Sequence, residues 1–213
     1  MDFLAPEINY YVEQHTQAEL EVLAKLNRET HAKVMMPRML SGHLQGEVIR
    51  MLSHMIRPQR ILEIGTFTGY SAICWCAGLS DGGKLFTIDI NEELESMVRR
   101  YFQEAGVAEK IDFRIGHALE IVKAIEGPFD IVFIDADKEN YSRYYDLVFD
   151  KVRTGGYIIA DNVLWSGKVV MPQGKADKDT KAIDTYNKKV HADERVENVL
   201  FPIRDGLMIA RKK

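Results

Sequence analysis

Residues Arg60–Ser71, RILEIGTFTGYS, constrain the fold most. An apolar run through Ile61, Leu62 and Ile64 meets Gly65, and a helix-like segment starts after Gly69. Strand, glycine turn and helix in that order read as the first βα unit of an α/β sheet, where a nucleotide-like ligand lies over the strand's carboxyl end. The glycines are spaced G-x-x-x-G, whereas a dinucleotide site uses G-x-G-x-x-G and a P-loop runs on into Lys-Ser/Thr. The turn suits a ligand whose near portion carries no pyrophosphate. That points to S-adenosylmethionine (SAM) rather than NAD or ATP.

Strand and helix patterns alternate from there on. Apolar or alternating segments at Ile61–Ile64, Lys84–Ile88, Ile111–Ile115, Ile131–Ile134 and Tyr157–Ala160 are strand candidates. Helices are expected between them at about 69–79, 92–105, 117–126 and 139–152, with breakers at Asp81-Gly82-Gly83, Gly127-Pro128 and Gly155-Gly156. Val196–Ile203 and Leu207–Ala210 flank Arg204-Asp205-Gly206, a hairpin signal that would add an antiparallel edge. The fold expected is α/β, Rossmann-like, with a mostly parallel seven-stranded sheet and helices on both faces. Helical spacing also covers about 6–28 and about 41–56, so residues 1–57 read as an N-terminal helical extension of one domain spanning 1–213.

The bulk properties narrow the function classes. A length of 213 residues is ample for one core and short for two. A net charge of -4 gives no global pull towards nucleic acid or anionic membrane. No apolar stretch is long enough to span a bilayer and no signal-peptide pattern follows Met1, so a cytoplasmic protein is expected. Cys74 and Cys76, the only two cysteines, sit two apart on a helical segment, so their side chains diverge and read as buried thiols. The six histidines show no H-E-x-x-H or similar spacing.

Four acids fall at expected strand ends: Glu63, Asp89, Asp135 and Asp161. Each alone reads equally well as a helix cap. Together they mark the rim of a parallel sheet, where ligands bind. Asp89 lies about two dozen residues past the glycine turn, the place of a ribose-binding acid in Rossmann units. Asp135, Asp161 and Asn162 form an all-oxygen donor set that suits a hard divalent cation. Mg²⁺ is the expected ion, with Ca²⁺ or Mn²⁺ as alternatives. Lys138, three residues after Asp135, places an amine beside that carboxylate as a candidate general base.

The segments LEIGTFTGYS, FTIDIN, FIDADKENY, GGYIIADNVLWSGKV and DGLMIARK together resemble the metal-dependent O-methyltransferases, the group of the caffeoyl-CoA and catechol enzymes. The resemblance runs from about Met39 to the end and is nearer the plant and bacterial caffeoyl-CoA branch. It implies that Asp135, Asp161 and Asn162 hold the cation. It also implies that SAM is contacted by Ser41, Glu63, Gly65, Thr66, Ser71, Asp89, Ala118, Asp135, Asp137 and Tyr144. Lys138 and Asp135 match the catalytic positions, and Trp165 matches an aromatic residue near the acceptor. Ser166 and Arg204 depart from the plant pattern, so the plant substrate is not carried over; the expected acceptor is a small vicinal dihydroxy aromatic of catechol or caffeoyl type. A homodimer is expected. The rival acceptor is a hydroxylated wobble uridine in tRNA, whose footprint would be Arg28, Lys33, Arg38, Arg50, Arg57 and Arg60.

Overall fold

The structure, a computed structural model, describes residues 4–213. They divide into two compact units: residues 4–61 with 65–118, and residues 62–64 with 119–213. Seven strands make one sheet in the order β3-β2-β1-β4-β5-β7-β6, where β1 is Arg60–Ile64, β2 Lys84–Asp89, β3 Ile111–Ile115, β4 Phe129–Ile134, β5 Val152–Asp161, β6 Val196–Phe201 and β7 Leu207–Lys212. This is the expected Rossmann-like arrangement with an antiparallel hairpin at one edge. Every expected strand is present.

In the first unit β2 and β3 pair in parallel, from Leu85 opposite Ile111 to Asp89 opposite Ile115. Helices α1 (Pro6–Gln14), α2 (Glu21–Lys33), α3 (Gly42–Ile56), α4 (Tyr70–Cys76) and α5 (Glu95–Glu104) complete it. The single helix expected over about 6–28 is two. The side chains of His15 and Thr16 turn back onto the carbonyls of Tyr11 and Val12, which closes α1 locally and competes with continuation of the helix. Helix α4 is buried at all seven residues, Cys74 and Cys76 among them. Just past its end the chain presses on α3 at Gly78, where a Cβ would stand 2.1 Å from the Ser53 carbonyl carbon. Ser53 Oγ fastens the same contact, donating to the Trp75 carbonyl at 2.6 Å and accepting the Gly78 N–H.

In the second unit β4 and β5 pair in parallel, and β5, β7 and β6 pair antiparallel. Gly155-Gly156, expected to break the chain, lies inside β5. The register shifts opposite, between Phe129 and Ile131, and Gly155 takes φ +76°, so the pair makes an irregularity within a strand. Helices α6 (Ala118–Ala124), α7 (Tyr141–Phe149) and α8 (Lys178–Ala192) flank these strands. The core packs Tyr141 edge-on to Tyr186, with ring centroids 5.4 Å apart. Among the described residues no helix is long and apolar enough to cross a membrane.

Candidate functional site

In the first unit the glycine turn is held by the acid at the end of β2. Asp89 Oδ2 accepts the N–H groups of Thr66 and Phe67 at 2.9 and 2.6 Å, and its Oδ1 accepts that of Asn91 at 2.9 Å. Three of roughly four lone-pair positions of the carboxylate are thus used, and the remaining one is on Oδ1. Thr66 Oγ1 lies 2.6 Å from Thr87 Oγ1, and both threonines are buried. Gly69, at φ +92°, then starts α4, a conformation that a residue with a Cβ adopts only under strain. Two further bonds tie this turn to the N-terminal segment: Thr30 Oγ1 donates to Thr68 Oγ1 at 3.2 Å, and Tyr70 Oη to Glu19 at 2.6 Å. Burial first, and the Glu19 bond second, push the Tyr70 phenol well up, so it stays a donor. Ser41 and Ser71 are buried, and Ala118 opens α6 half-buried.

The second unit holds Glu63, fully buried within β1, one residue before its end. It also holds the oxygen cluster. Asp135 directly follows β4, and its N–H donates to the Ile64 carbonyl at 2.8 Å. Asp161 is the last residue of β5. Asn162 follows in the left-handed region at φ +58°. The Asn162 N–H donates to Asp161 Oδ1 at 2.6 Å.

Lys138 stands at the centre. Its ammonium donates to Asp135 Oδ1 at 3.0 Å, Asn162 Oδ1 at 2.9 Å and Tyr141 Oη at 2.6 Å, and the residue is 9% exposed. Three N–H donors therefore meet three oxygens. Tyr141 Oη in turn donates to the Asp161 carbonyl at 3.0 Å. Burial, then the carboxylates of Asp135 and Asp161, raise the Tyr141 phenol well above its ordinary value and keep it protonated. The Trp165 ring lies 5.7 Å from the Lys138 ammonium. Among the described residues its indole Nε1 is buried without a hydrogen-bond partner.

Asp137 accepts from Tyr144 Oη at 2.6 Å and from the Asn140 amide. Burial first, then this bond, raise the Tyr144 phenol. The second unit thus brings Asp135, Lys138, Asp161 and Asn162 together, and pairs Asp137 with Tyr144. The first unit brings Gly65, Thr66 and Asp89 into one turn. Tyr141 was missed by sequence reasoning, although an aromatic three residues after a lysine at helical spacing was the available signal. Asp205, whose carboxylate accepts the Ser166 N–H across 39 residues, was read only as part of the hairpin turn and of the DGLMIARK segment.

Comparison with known proteins shows the family. The chain matches the O-methyltransferase family over residues 13–213. It is 38% identical over 197 residues to caffeoyl-CoA O-methyltransferase 1 of Eucalyptus globulus, covering 87% of this chain and 79% of that relative. It is 36% identical over 208 residues to the Petroselinum crispum caffeoyl-CoA O-methyltransferase, covering 91% and 85%. Among solved structures, the O-methyltransferase from Bacillus cereus in complex with SAH superposes with a TM-score of 0.89 at 28% identity over 97% of each chain. The O-methyltransferase TomG from Streptomyces achromogenes, in complex with SAM, also gives 0.89, at 27% identity over 97% and 96%. The chain belongs to the O-methyltransferase family, as an O-methyltransferase of the caffeoyl-CoA type.

Proposed function

We propose that this enzyme transfers the methyl group of SAM to one hydroxyl of a vicinal dihydroxy aromatic, with a divalent cation held by Asp135, Asp161 and Asn162. The observation that carries the reading is the oxygen cluster around Lys138. Two of the three proposed donors already share a cation, the ammonium, at 3.0 and 2.9 Å. Carboxylate and amide oxygens suit a hard ion such as Mg²⁺. Among the described residues no group of three or more His, Cys, Asp or Glu side chains is arranged to hold a metal ion, so the cation would rest on two carboxylates and the Asn162 amide.

SAM would be contacted by Ser41, Glu63, Gly65, Thr66, Ser71, Asp89, Ala118, Asp135, Asp137 and Tyr144. Support comes from the solved relatives in complex with SAH and SAM. When bound, SAM supplies an electrophilic methyl on sulfur, and the cation lowers the pKa of a hydroxyl that it touches.

Lys138 donates all three of its N–H groups, so it works as a fixed positive charge beside the developing phenolate before it can work as a base. Tyr141 keeps that charge in place. SAM held there would supply the methyl and keep the S–C electron pair on its sulfur, while the Lys138 ammonium would stand beside the acceptor oxygen as that oxygen loses its proton. Trp165 supplies an apolar wall for the aromatic acceptor.

The tRNA reading is weaker. Lys33 pairs with Glu29 at 3.0 Å and Arg50 with Glu47 at 3.4 Å, which uses part of its basic footprint. Methyl transfer to undermodified tRNA with steep salt dependence would favour it. The test of the main reading is Asp161→Ala. Loss of transfer with SAM affinity retained is expected; full rate in the presence of EDTA would remove the metal role.

A further inference from the structure

The segment after Asn162 is bent against the preferences of its residues. Trp165, Ser166 and Gly167 take φ +48°, +55° and +75° in succession, and two of the three carry a Cβ that disfavours this region. Such a run persists only where the surroundings over-determine it. The tip of the β6–β7 hairpin supplies that restraint. Asp205 accepts the Leu164 N–H through its backbone carbonyl at 2.8 Å, and Gly206 accepts that of Val163 at 3.2 Å. The carboxylate of Asp205 reaches further and takes the Ser166 N–H through Oδ1. A second brace comes from α8, where Asn187 Nδ2 donates to the Val163 carbonyl at 2.8 Å. That brace, like the two carbonyl bonds, stops short of Trp165. Beyond the ring, Lys168 pairs with Asp177 at 3.1 Å through its side chain, whereas the Asp205 carboxylate bonds the backbone of the strained Ser166 itself.

We propose that Asp205 is a positioning residue for the methyl acceptor: by holding the Ser166 N–H it fixes the Trp165 ring beside Lys138. The claim rests on the reading of Trp165 as a wall of the acceptor site. It is a hydrogen-bond role, so the charge of Asp205 is dispensable and its acceptor oxygen is not. Asp205→Asn retains an oxygen for the Ser166 N–H; Asp205→Ala does not.

The test compares wild type, Asp205→Asn and Asp205→Ala by acrylamide quenching of tryptophan fluorescence. Trp165→Phe isolates the fully buried Trp75. Steady-state kinetics with a catechol and calorimetric SAM binding complete the set. Asp205→Ala is expected to make Trp165 more quenchable and to raise the acceptor KM about tenfold, with SAM affinity unchanged. Asp205→Asn should stay near wild type in all three. Unchanged quenching in Asp205→Ala would overturn the proposal, as would an Asp205→Asn enzyme impaired as much as Asp205→Ala. Quenching needs no turnover. A wild-type enzyme inactive on catechols would therefore sink the acceptor reading, while the quenching comparison still decides whether Asp205 positions Trp165.

Discussion

Tyr141→Phe isolates the hydrogen bonds that organise the oxygen cluster. The phenol is fully buried, accepts from the Lys138 ammonium at 2.6 Å and donates to the Asp161 carbonyl at 3.0 Å. The substitution keeps the ring and its edge-on packing against Tyr186, so the apolar contribution is unchanged. A neutral bond contributes about 1 kcal/mol net and one to a charged group about 1.5–3 kcal/mol. Both partners stay behind, a buried carbonyl without its donor and an ammonium one acceptor short. The expected loss is therefore about 3 kcal/mol, since Lys138 keeps Asp135 and Asn162. For a chain of this size that lowers Tm by about 6–12 °C. Urea unfolding followed by circular dichroism measures it directly, and the m-value should stay constant because the surface exposed on unfolding does not change. A midpoint shift worth less than about 0.5 kcal/mol would refute the reasoning, because an effect that small is typical of surface positions.

Three further outcomes are expected. Gly78→Ala drives a Cβ into the Ser53 carbonyl group and the His54 nitrogen at 2.1–2.3 Å, so α3 and α4 must separate; a loss of about 2–3 kcal/mol in urea unfolding is expected. The Glu29 carboxyl is lowered from 4.5 to about 2, by the Tyr101 hydroxyl first and then by Lys33 and Arg100. Its contribution to stability is complete above about 4.5 and fades as pH falls towards about 2, so Glu29→Gln should flatten the acid limb of the stability curve in that window, read from urea midpoints at about pH 5 and about pH 3. Mg²⁺ at about a hundred times its Kd should stabilise wild type by about 2.7 kcal/mol in thermal unfolding, and the gain should vanish in Asp161→Ala and with EDTA.

The fold was legible where side-chain pattern and backbone state coincide. Ile131–Ile134 is a continuous apolar run and Ile111–Ile115 alternates Ile, Phe and Ile with Asp and Arg, and both are strands. Helix α8 went unread because only Thr180, Ile183, Tyr186 and Val190 of its fifteen residues are buried, scattered among lysines and aspartates. Its start was nevertheless written in the chain: Asp177 caps it by accepting the Thr180 N–H at 2.8 Å. Gly155-Gly156 misled because glycine marks a strand irregularity as readily as a break.

At the site, Asp135 and Lys138 were legible as a pair because they are close in sequence and lie at a strand end. The bond from Lys138 to Asn162 spans 24 residues and depends on β4 and β5 being neighbours, which no local pattern encodes. Asp89 shows the opposite limit. Its place at the end of β2 was read from spacing, but its grip on the N–H groups of Thr66 and Phe67 emerges only when the glycine turn folds back over it.

The most direct test of the account is a paired rate measurement with radiolabelled SAM. A catechol and its monohydroxy counterpart are compared, each with Mg²⁺ and with EDTA. The account predicts transfer to the catechol in Mg²⁺ alone, with the monohydroxy compound and both EDTA reactions at background. Equal transfer to the two phenols, or transfer that persists in EDTA, would contradict it.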